Sequence, residues 1–141
     1  MADIFLKYGT VQSLSATGLA TLANGSSVTS STIDNTTTLF LDFLIELVVS
    51  TASAATATGV VEIYAKGSAD NTDFDDDSND KWIGTIALPA AGVGTRKRLS
   101  GVASSFGGSL PPYVQIRVRN ATGAALTAGT LQYIGVNAQT V

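Results

Sequence analysis

The chain has 141 residues, of which 45% are hydrophobic and 13% charged, and its formal net charge is −3. That is the length of a single domain, and it is apolar enough to bury a core. Cysteine and histidine are both absent, which excludes disulfides, thiolate and imidazole metal sites, cysteine nucleophiles and Ser-His-Asp triads.

In chain order, residues 1–14 carry strand character around Ile4–Tyr8 and show no evident partner strand. They are expected to form an N-terminal arm that adds to a neighbour's sheet. With one lysine and no apolar central run, they do not read as a signal peptide. A short strand near Leu19–Ala23 competes with a single helical turn across residues 16–25. Residues 38–50 alternate most clearly. Leu39, Leu41, Phe43, Ile45, Leu47 and Val49 share one face, which is expected to be buried. Phe40, Asp42, Leu44, Glu46 and Val48 share the other. That second face is mixed, and its apolar members Phe40, Leu44 and Val48 are the candidate self-association surface. The run is too short and too charged to cross a bilayer, so no membrane partner is expected.

Residues 50–58 are small and repetitive and read as a flexible connection. Strands follow at 59–67 and 81–89, the second ended by Pro89. A short strand is expected at Arg96–Leu99. Two more follow at 113–120 and 130–138, joined by a connection of hairpin type. No segment shows a helical stripe. The fold class is therefore all-β: one antiparallel β-sandwich of seven to eight strands, jelly-roll-like, with the whole chain as its domain.

Charge is unevenly placed. Six of eleven acidic residues fall in residues 68–80: Asp70, Asp73, Asp75, Asp76, Asp77 and Asp80. The remaining residues are net basic. Asp73, Asp75, Asp77 and Asn79 alternate like the start of a calcium loop, but Ser78 stands where the turn glycine is needed and Gly84 where the bidentate glutamate is needed. No metal or other cofactor is expected. Were a cation bound, Asp73, Asp75 and Asp77 would be its candidate ligands. The segment reads as a solvated loop or as a contact for a basic surface. Clustered, solvated acids make a poor catalytic pair, and Asp42 and Glu46 lie about 13 Å apart on one strand. No enzymatic activity is expected. Arg96, Lys97 and Arg98 form a basic run opposite in sign to the acidic segment and are candidate partner contacts. The basic surplus is too small for a nucleic-acid binder. Trp82 is expected in the core.

Several motifs resemble those of small β-sandwich virion proteins of tailed bacteriophages. They are L-A-x-G-x at Leu22–Ser26, I-D-N-x-T at Ile33–Thr37, Y-A-x-G-S-A-D at Tyr64–Asp70, and P-P-x-x-x-I-x-V-x-N-x-T-G at Pro111–Gly123. The resemblance implies a capsid decoration, or cement, protein. Such a protein binds the major capsid protein on the virion surface across subunit seams, as a homotrimer, after synthesis in the host cytoplasm. A tail, neck, baseplate or fibre-base component is the alternative within the family. A carbohydrate-binding β-sandwich is the alternative outside it, and it would place Trp82 or Tyr113 on the surface.

Overall fold

The computed structural model describes residues 3–52, 59–88 and 94–140. The expected stop at Pro89 and most of the expected connection at 50–58 lie outside the described residues. The strands are β1 (Ile4–Tyr8), β2 (Gln12–Ser13), β3 (Ser27–Thr29), β4 (Ile33–Asp34), β5 (Asp42–Thr51), β6 (Val60–Ser68), β7 (Lys81–Ala87), β8 (Thr95–Leu99), β9 (Tyr113–Ala121) and β10 (Leu126–Thr140). A 3-10 turn occupies Leu19–Thr21, and one short helix, α1, occupies Val102–Ser105.

Sheet A runs β1-β10-β5-β8, with β2 also beside β10; sheet B runs β3-β9-β6-β7, with β4 also beside β9. Without the two-residue strands β2 and β4, the order is first-eighth-third-sixth in one sheet and second-seventh-fourth-fifth in the other. That is the strand order of a jelly roll, and all the pairings are antiparallel.

Period-two alternation builds the core between the sheets. Phe43, Ile45, Leu47 and Val49 of β5 form one cluster with Val61, Ile63 and Ala65 of β6 and Val114, Ile116 and Val118 of β9, all buried. Each of these side chains larger than alanine contributes about 1.5–3 kcal/mol of transfer free energy.

Several expectations are corrected. The alternation expected from residue 38 begins only at Asp42, and Leu39 and Leu41 are exposed. The cause is Asn35. Its side chain accepts the Phe40 N–H at 2.7 Å and donates to the Phe40 carbonyl at 3.0 Å, which closes a turn. Leu39 sits in that turn with φ of 50°. The turn also moves Phe40 off the mixed face and onto the inner one. There its ring meets Phe43 edge-on at 6.1 Å and lies where a side chain on Gly135 would have to be.

The connection from β9 to β10 is not a hairpin, because the two strands belong to different sheets. Buried Asn120 donates to the carbonyls of Leu22 and Ala124 and accepts from the backbone and hydroxyl of Thr122, so it steers the chain across the sandwich. The Leu19–Ala23 strand is instead the 3-10 turn, with Leu19 buried. The N-terminal stretch does find a partner in its own chain, since β1 pairs with β10 from Ile4↔Thr140 to Tyr8↔Val136.

Candidate functional site

The outer face of sheet B gathers an exposed aromatic and several charged side chains. Inward-facing Ile63 pairs with Gly84, yet the next residue, Tyr64, pairs with Trp82. Ile83 is thus the extra residue of a β-bulge. Simple alternation would put Trp82 on the same side as Gly84 and buried Ile86. The bulge reverses it, which is how bulges re-aim side chains. Trp82 is 60% exposed, against the expectation that it packs in the core. Ile83 packs against the core instead.

Trp82 heads a row of cross-strand neighbours: Trp82 on β7, Tyr64 on β6, Arg117 on β9 and Thr29 on β3. Four strands in a row span about 14 Å. The Arg117 guanidinium carbon lies 4.3 Å from the centre of the Tyr64 ring. The next row contains Thr85, Glu62, Arg119 and Ser27. Here Arg119 donates to Glu62 at 2.7 Å, and the Tyr64 hydroxyl donates to Glu62 at 3.3 Å. Burial raises the Tyr64 phenol above its ordinary range, and the neighbouring Glu62 carboxylate adds to this. The phenol is therefore neutral and keeps its proton to donate. Tyr113, the other aromatic residue considered for an exposed position, is half-buried on β9.

The acidic segment is the floor beside this row. The Asp80 side chain is 3% exposed and accepts from Arg117 Nε at 2.5 Å. Asp77 pairs with Lys66 and lies 3.7 Å from Arg117. Burial pulls the Arg117 guanidinium down, but the Asp80 carboxylate outweighs it and holds the group firmly protonated. The rest of the segment is folded by its own carboxylates. Asp70 accepts the N–H groups of Thr72 and Asp73, and Asp76 accepts those of Ser78 and Asn79. Asp75 accepts the Gly67 N–H at 3.0 Å. These bonds hold the Asp70 and Asp76 carboxyls below the usual carboxylate range, the first through the Asp73 N–H, the second through the Ser78 hydroxyl. The expected solvated loop is mostly exposed and is built as a series of side-chain-closed turns. The alternation Asp73, Asp75, Asp77 does not converge, and among the described residues no three acidic groups are placed to hold a metal.

The remaining sequence-derived positions lie on sheet A. Leu44 and Val48 do share its outer face and are half-buried, whereas Phe40 does not join them. Between Leu44 and Val48, Glu46 accepts from Arg96 at 3.1 Å, from Arg98 at 2.5 Å and from Gln132. Burial pushes the Glu46 carboxyl up, but Gln132 and the two arginines outweigh it and hold it low. Lys97 is exposed, in register with Leu47. The basic run therefore meets Glu46, and the acidic segment meets Lys66 and Arg117 on the other sheet. Asp42 accepts the N–H groups of Gly101 and Ala103 where α1 begins. A pocket of about 220 Å³ opens where the 35–41 turn meets Gly108–Leu110, but Asn35 at its wall is committed to Phe40.

No protein-family model matches the chain, and neither does any curated protein. Solved structures do resemble it. BuGH86, determined with neoagarooctaose, superposes with a TM-score of 0.56 at 12% identity over 97% of this chain. The chain spans only 20% of that protein's length. A second BuGH86 complex gives the same values. The CBM22-1 xylan-binding domain of Paenibacillus barcinonensis Xyn10C covers 96% of this chain and 85% of its own at 8% identity, with a TM-score of 0.42. At these identities the BuGH86 likeness is one of fold alone, and the fold is a β-sandwich.

Proposed function

We propose that the chain is a non-enzymatic jelly-roll binding module that holds a saccharide on the outer face of sheet B. Trp82 carries this reading. A bulge turns the indole out of the core, and it stays exposed at the end of a row of Tyr64, Arg117 and Thr29. Indole offers a broad apolar face with a polar edge, suited to the C–H face of a sugar ring. Glu62 and Arg119 in the adjoining row, with the Tyr64 hydroxyl that reaches Glu62, can accept from and donate to ring hydroxyls. Jelly rolls serve lectins and viral shells alike, so the face rather than the fold supports the assignment.

Affinity electrophoresis tests it. Migration of the wild-type protein through gels cast with neutral polysaccharides, agarose-derived chains among them, should be retarded in at least one. Trp82→Ala should run unretarded with its melting temperature unchanged. Equal migration of wild type and variant in every gel would remove the proposal.

A second reading is favoured by the outer face of sheet A. Leu44, Val48, Ile134 and Val136 form a half-exposed aliphatic field around the Glu46 cluster. A capsid decoration protein would cover such a field with the major capsid protein on the virion surface. Co-sedimentation with phage shells, abolished by Leu44→Asp and untouched by Trp82→Ala, is the outcome that reading expects.

A further inference from the structure

β1 is the open edge of sheet A. Its one partner among the described residues is β10, and no strand lies on its other side. β10 is paired with β5 only as far as Val136↔Asp42. Beyond that pair, β1 and the last residues of β10 run on as a two-stranded ribbon. Every residue of β1 is exposed. Its apolar residues range from 54% exposure at Phe5 to 72% at Ile4, and both faces of the ribbon carry them. A two-stranded ribbon is marginal by itself. An open edge with exposed apolar side chains is a template for a further strand. Edge strands are usually protected by proline, bulges or several charges, but here Lys7 is the one charged residue within β1.

We propose that the occupant of this edge is β1 of a second copy, paired antiparallel about a twofold axis at Phe5. The sequence Asp3-Ile4-Phe5-Leu6-Lys7 is self-complementary in that register. Asp3 of each copy stands opposite Lys7 of the partner subunit, and Ile4 opposite Leu6 of the partner subunit. Registers shifted by one pair of residues set either Asp3 or Lys7 against Phe5 and lose both ion pairs. The contact is isologous, so each pairing off the axis occurs twice and the assembly closes. It joins the two A sheets into one continuous sheet by strand addition. The result is a dimer rather than the trimer implied by the virion resemblance. It leaves the outer face of each sheet B open.

Sedimentation velocity of the full chain tests the register. The wild type should sediment as a dimer at about 100 µM. Asp3→Lys and Lys7→Asp, each placing like charges opposite one another, should raise the dissociation constant at least about tenfold. The double variant Asp3→Lys/Lys7→Asp restores opposite charges and should recover the dimer. A wild-type monomer, a trimer, or failure of the double variant to recover the dimer while its melting temperature matches the wild type would overturn the proposal.

Discussion

Residues 70–80 and residues 3–8 are both exposed stretches, and they carry opposite kinds of surface. The first concentrates carboxylates, the second apolar side chains. Five of the six carboxylates are engaged within the fold: Asp70 and Asp76 close turns, Asp75 binds the Gly67 N–H, Asp77 meets Lys66, and Asp80 meets Arg117. The apolar strand has one edge paired and the other open. The stretch that looks most like a site by charge is satisfied within its own fold. The stretch that looks plain is the one left incomplete. The proposed self-association thus rests on an unmet requirement rather than on an unusual composition.

The largest effect expected is at the inward end of the acidic stretch. Asp80→Ala leaves a guanidinium that is 8% exposed without its nearest carboxylate, and breaking a buried pair costs about 3 kcal/mol or more. Thermal unfolding should fall by about 10 °C. Asp73→Asn at the outward side should shift it by no more than about 2 °C. Equal effects at the two positions would erase the distinction between inward and outward acids.

Acid titration should act through other carboxyls of the fold. The carboxyls of Asp34, Asp70, Asp76, Asp77 and Glu46 are all lowered in the fold. Lowered carboxyls stabilise the fold above their unfolded values, near pH 4, and that stability is lost as pH falls through the lower folded values. The chain has no histidine. Melting temperature should therefore be level from about pH 6 to 8 and fall below about pH 4.5. A step near pH 6.5 would contradict this.

How much of this was legible in the sequence follows from which contacts are local. The alternation of β5, β6, β9 and β10 reads directly from residues such as Val114, Ile116 and Val118, because one buried face imposes period two. Three features depend on partners distant in sequence or on a broken period. The Asn120 side chain, through Leu22, turns an apparent hairpin into a crossing between sheets. The Asn35 turn folds Phe40 inward and leaves Leu39 outside. The bulge at Ile83 reverses Trp82. A glycine beside Ile83 inside a strand was its one local sign, since an isolated glycine there suggests a bulge.

The smaller effects concern the ribbon and the metal reading. Phe5→Ser should leave the monomer's stability within about 0.5 kcal/mol while weakening self-association, as read by sedimentation and melting in parallel. A loss of several kcal/mol would mean that β1 is part of the core. Calcium at millimolar concentration should leave the melting temperature unchanged, because no three acidic groups among the described residues are placed to hold a metal. A rise of several degrees would revive a cation site there.

The central claim is that sheet B presents Trp82 to a ligand, and the protein's own fluorescence tests it directly. Trp82 is the sole tryptophan, so emission reports this site alone. Titration with the polysaccharide that retards the protein in gels should shift a solvent-exposed, red emission saturably towards the blue. Emission that is already blue in the free protein, or that no saccharide moves, would contradict the account.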